Sequence, residues 1–119
     1  MSMTFDIEIV LREQNHATTE TITHDRDASA WTEMDVEVVL KEMLLAIDRA
    51  KNPAAARRYV ALRGFSWIVE PTDDGVVIAV EIPTGAAVAG PFAIAQPQLD
   101  RLISRVLAAA AAPSGPTIH

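Results

Sequence analysis

Residues 64–83 read GFSWIVEPTDDGVVIAVEIP, two runs of alternating apolar and polar residues joined through Asp-Asp-Gly. No other segment restricts the fold so tightly. Asp-Gly is a strong signal for a two-residue hairpin turn, because glycine accepts the positive φ that such turns demand. A turn at Asp74-Gly75 sets Val69 opposite Val80 and Trp67 opposite Ile82. One face of the ribbon then collects Phe65, Trp67, Val69, Val76, Ile78, Val80 and Ile82. The other carries Ser66, Ile68, Glu70, Val77, Ala79 and Glu81. A slip of one residue would mix the two sets, so turn chemistry and burial pattern support the same pairing.

An apolar ribbon face has to be buried against a second layer, and the chain supplies one. Thr32 and Asp35 have capping-box spacing, and Trp31 and Val36 flank them at the spacing of a hydrophobic staple. Val36, Leu40, Met43, Ile47 and Ala50 then form one helical stripe, widened by Val39 and Leu44, and Asn52-Pro53 ends it. Proline suits a first helical turn, so a short helical piece is expected over 53–60. A second long helix is expected from Pro97 to Ala112, with Leu99, Leu102, Ile103, Val106, Leu107 and Ala110 on its inner side. At the start of the chain, Phe5, Ile7, Ile9 and Leu11 alternate with mostly polar neighbours, the period of a half-buried strand. The threonine-rich run 18–24 suits an edge strand that returns as a hairpin.

Together these elements predict one α+β domain over 1–112, with a tail at 113–119. The expected architecture is a two-layer sandwich: a mainly antiparallel sheet of four to five strands, with both long helices on one face, in the order β-β-α-β-β-(β)-α. The optional strand falls in EIPTGAAVAGPFAI, residues 81–94. Gly85 and Gly90 have four residues between them, as in a phosphate-binding loop, but Pro91 and Phe92 occupy the places of the required lysine and hydroxyl. This stretch is expected to turn a corner, with 92–94 available as a short fifth strand.

Composition narrows the partners. Sixteen acidic residues against ten basic ones give a formal net charge of −6, the wrong sign for a protein that lives on phosphate backbones or anionic membranes. There is no cysteine, hence no disulfide or thiolate metal site. Asp6 and Glu8 fall where a signal peptide needs positive charge and then an unbroken apolar run, and no apolar run approaches the ~20 residues of a membrane span. These features point to a soluble, cytoplasmic protein.

Four residue groups are candidates for chemistry. His16 and His24 with Asp25 and Asp27 carry metal-binding side chains, but at no standard ligand spacing, so no metal or other cofactor is expected. Glu70 and Glu81 become diagonal neighbours in the expected register, a geometry open to general acid and base catalysis. Arg57, Arg58 and Arg63 bracket Tyr59, the one basic cluster, suited to a small anionic ligand. Ile68, Val77 and Ala79 form an apolar patch on the face that one layer of helices leaves open. The leading expectation is a non-enzymatic binding or assembly module, homodimeric through that face or covered by a protein partner. The alternatives are a sensor or carrier of an anionic ligand at the arginines and a small hydrolase or isomerase using the glutamates.

Overall fold

The computed structural model of the chain describes residues 2–14, 16–53 and 61–111. The elements are β1 (Met3–Leu11), β2 (Ala17–His24), a single 3-10 turn (Ala28–Ala30), α1 (Glu33–Lys51), β3 (Ser66–Thr72), β4 (Gly75–Ile82), β5 (Gly85–Phe92) and α2 (Gln96–Ala111). From residue 54 onward, the short helix expected within 53–60 lies outside the described residues, as does the tail at 113–119. The five strands form one sheet in the order β2-β1-β5-β4-β3, and every neighbouring pair is antiparallel. Helix α1 packs on β1 and β5, and α2 packs on β3 and on α1. This is the two-layer α+β sandwich that the sequence predicts.

The core lies between these layers and follows from the alternation. Phe5, Ile7, Ile9 and Leu11 of β1 are buried, and the residues between them are exposed. Val76, Ile78 and Val80 of β4 and Val69 of β3 face the same way, with Phe65, Trp67 and Ile82 partly buried at the margin. Against them stand Val36, Val39, Leu40, Met43 and Ile47 of α1 and Leu99, Ile103 and Val106 of α2. Each such side chain contributes roughly 1.5–3 kcal/mol by leaving water. Phe92 anchors one end, with its ring centroid 5.1 Å from that of Phe5 and 4.7 Å from that of Trp31.

Two expectations are corrected. Residues 85–92 do not turn a corner: they form a full strand at the centre of the sheet, between β1 and β4. Glycine and alanine are poor strand formers, and tertiary packing overrides that preference. A Cβ on Gly85 would lie 2.6 Å from the Val10 carbonyl oxygen, so the close approach of β1 requires glycine. Ala87 and Ala89 are fully buried on the side of α1, whose large side chains fill the space that their small ones leave.

The hairpin register also differs. Thr72 pairs with Gly75, Val69 with Ile78 and Trp67 with Val80, so the turn is Asp73-Asp74, one residue earlier than expected, and each cross-strand partner shifts by two. Thr72 Oγ1 holds this turn, accepting from the Asp74 N–H and donating to the Gly75 carbonyl, both at 3.2 Å. Gly75 opens β4 instead of closing the turn. Its φ is +142°, and a Cβ there would sit 2.4 Å from the Phe92 carbonyl oxygen. A shift of two residues keeps every side chain on its expected face, which is why the layered architecture survives the change.

Candidate functional site

The face of the sheet opposite the helices can be read row by row from the strand registers. One row crosses all five strands: Thr19, Glu8, Val88, Ala79 and Ile68. The row on one side of it is Ala17, Val10, Ala86, Glu81 and Ser66. On the other side, Thr21, Asp6 and Gly90 continue to Val77 and Glu70 past an irregularity in the β4–β5 ladder between Val76 and Ile78. Strand spacing of ~4.8 Å makes this face about 24 Å wide.

Val10, Val88 and Ile68 are 46%, 38% and 50% exposed, an unusual degree for large aliphatic side chains. Ala86, Ala79 and Val77 connect them into one band that runs obliquely across β1, β5, β4 and β3. Carboxylates flank the band on both sides: Asp6 and Glu8 at one end, Glu81 and Glu70 at the other. Arg12 stands beside Glu81: its Nε donates to the Pro83 carbonyl at 2.8 Å and its guanidinium lies 4.0 Å from that carboxylate. Asp6 accepts a 2.8 Å hydrogen bond from Thr21 Oγ1. Ile68, Val77 and Ala79 share this face, with Ile68 exposed and Val77 and Ala79 half-buried. Val10, Ala86 and Val88 adjoin them, and these escaped the sequence reading because the central place of β5 was not legible.

The paired-glutamate geometry is not formed. Glu81 pairs with Ser66 and Glu70 with Val77. Glu81 thus lies four residues along β4 from the partner of Glu70, roughly 13 Å at strand rise. That is beyond the separation at which two carboxylates serve one reacting centre. The two-residue change of register is the cause. Of the basic cluster, Arg57, Arg58 and Tyr59 lie outside the described residues, and Arg63 is exposed beside Gly64.

His24 has a partner that sequence spacing did not reveal. It ends β2 on the helix side, and its Nε2 lies 2.9 Å from Asp35 Oδ1 at the start of α1. Asp35 Oδ2 accepts from the Thr32 N–H at 2.8 Å and from Thr32 Oγ1 at 3.0 Å, closing the capping box, and Arg26 Nε stands 3.2 Å away. Burial by itself would push the Asp35 carboxyl up. The Thr32 N–H, the His24 ring, the Thr32 hydroxyl and the Arg26 charge outweigh it and hold the group at about 2. Trp31 covers the imidazole edge-on at 5.9 Å and donates its indole N–H to the Arg26 carbonyl at 2.9 Å. His24 thus fastens the end of an outer strand to a helix N-terminus. Asp27 is engaged separately, accepting from Ser29 Oγ at 2.6 Å, and that bond holds its carboxyl low. His16 and Asp25 are exposed. Among the described residues, no three histidine or carboxylate side chains gather as a metal site, and no helix is long and apolar enough to cross a membrane.

The chain matches no family model, no curated protein and no solved structure.

Proposed function

We propose that the chain is a non-enzymatic binding and assembly module that docks a protein partner on its open sheet face. The observation behind this reading is the oblique band of Val10, Val88 and Ile68, left in water by a fold that buries every other large aliphatic or aromatic side chain of the described sheet at least in part. Solvated sheet faces are ordinarily polar, and continuous exposed apolar surface marks an interaction site. The four flanking carboxylates describe the partner: an apolar ridge with basic residues along its sides. Such charge complementarity sets orientation and association rate, and the apolar centre supplies affinity.

A leucine-faced, lysine-flanked helical peptide is a suitable probe. Titrated into isotope-labelled protein, it should shift the amide resonances of Glu8, Val10, Ala79, Val88 and Ile68, and the affinity should fall as salt is raised. The same peptide with glutamate in place of lysine should leave the spectrum unchanged. Ile68→Asp with Val88→Asp should abolish the shifts at little cost in melting temperature. Shifts confined to the helix side, or none at all, would refute the proposal.

A further inference from the structure

The two borders of the sheet are finished differently. At β3, Pro71 has no N–H to offer, Gln96 Nε2 of α2 donates to the Val69 carbonyl at 2.9 Å, and α2 itself packs against the strand. These are recognised ways of closing a strand edge to further pairing. At β2 they are missing. All eight residues pair in unbroken register with β1, and the run ATTETITH holds no proline, lysine or glycine. Its one carboxylate, Glu20, is bound by Arg49 of α1 through two bonds of 2.6 and 3.2 Å, which neutralises it. In an antiparallel ladder every second residue turns both its N–H and its C=O away from its neighbour. Among the described residues, no backbone group bonds the outward groups of β2.

From this contrast we infer that β2 pairs antiparallel with β2 of a second copy, about a twofold axis, and extends the sheet from five strands to ten. The sequence of β2 is complementary to itself in the register centred on Thr21. With Thr21 on the axis, Thr19 stands opposite Thr23 of the second copy on the open face, and Glu20 opposite Ile22 on the helix face. Threonine pairs across strands are favourable, and no like charges meet. The register centred on Glu20 would set that carboxylate against its own copy. Stacking two open faces is a poorer route to a dimer, because it would bring two sets of Asp6, Glu8, Glu70 and Glu81 together. Edge pairing leaves the proposed docking face free in both copies, and the inference does not depend on that proposal.

The test is sedimentation of the full chain at up to about 100 µM, well above the micromolar range expected for a small interface. The native chain should sediment with twice the monomer mass. Thr19→Lys with Thr23→Lys places lysine against lysine twice in the inferred register. It should raise the dimer Kd by at least about 10-fold and leave the melting temperature at low concentration unchanged. Thr19→Lys with Thr23→Glu places opposite charges there and should restore the dimer. Ile68→Asp with Val88→Asp should leave association intact. Should the lysine pair unfold the chain, hydrogen exchange on the native protein decides, with β2 amides gaining protection as concentration rises. A native chain that stays monomeric overturns the inference. So does a folded lysine pair that associates as tightly as the native chain, a Lys–Glu pair no better than Lys–Lys, a dimer lost in Ile68→Asp/Val88→Asp, or β2 exchange that ignores concentration.

Discussion

Ile78 and Ile68 stand on adjacent strands of one sheet, yet Ile78 is 0% exposed and Ile68 is 50% exposed. Ile78 belongs to the side where β1 and β4 offer large side chains and β5 offers Ala87 and Ala89, so that α1 can settle closely over the middle of the sheet. Ile68 belongs to the side where valine, alanine and isoleucine alternate with carboxylates and no helix arrives. The same residue type serves cohesion in one place and is open to contact in the other. What separates the two is the parity of position along the strand, together with the decision of both helices to lie on one side.

The largest effect expected from this contrast is on the covered side. Ile78→Ala should destabilise the fold by about 2–5 kcal/mol, since it removes buried methyl groups and leaves a cavity. Denaturant titration reads the change in midpoint. Gly85→Ala should cost about 1–3 kcal/mol, because its Cβ would lie 2.6 Å from the Val10 carbonyl oxygen and the central strands would have to part. If Gly85→Ala proved neutral, β5 would not be held as tightly as its glycine implies. Asp35→Ala should cost about 1–3 kcal/mol by leaving the Thr32 N–H and His24 without their acceptor.

Asp35 also has a pH signature. Its carboxyl is held at about 2 in the folded chain, below the ordinary 3.8, so it binds its proton more readily when unfolded. Its stabilising contribution is therefore complete above the unfolded value and is lost as pH falls through the folded one. In Asp35→Asn the acid limb of the stability curve should be shallower between about pH 4 and 2. The smallest effect belongs to the open side: Ile68→Ala should change stability by no more than about 0.5 kcal/mol. A loss near that of Ile78→Ala would mean that Ile68 is covered in solution, and would erase the distinction between the faces.

Much of this arrangement was legible in the residues because independent signals agreed. The alternation in 5–11 and 76–82 fixed which side chains face inward, and Thr32 with Asp35 fixed where α1 begins. The Asp-Gly signal placed the bend one residue late and so the ladder two residues off, because Gly75 answers a constraint that comes from Phe92, distant in sequence. Strand β5 was illegible for the same reason: an Ala- and Gly-rich run has no strand-like character of its own, and its place is defined by β1, β4 and α1 around it. The error carried to the candidate site. Glu70 and Glu81 were paired by a register that does not form, whereas Val10 joined the apolar band only through β5. The contact between His24 and Asp35 crosses 11 positions of chain and needed a three-dimensional arrangement to appear.

The bond from Gln96 to the Val69 carbonyl has a consequence for how large any assembly can grow. A molecule receptive on both margins adds subunits without limit and forms filaments. One sealed on a single margin completes its valence in one event, because the newcomer turns its own sealed side outward. In the inferred pairing through β2, the glutamine at the first position of α2 would act as a stop signal on stoichiometry, limiting the product to two chains.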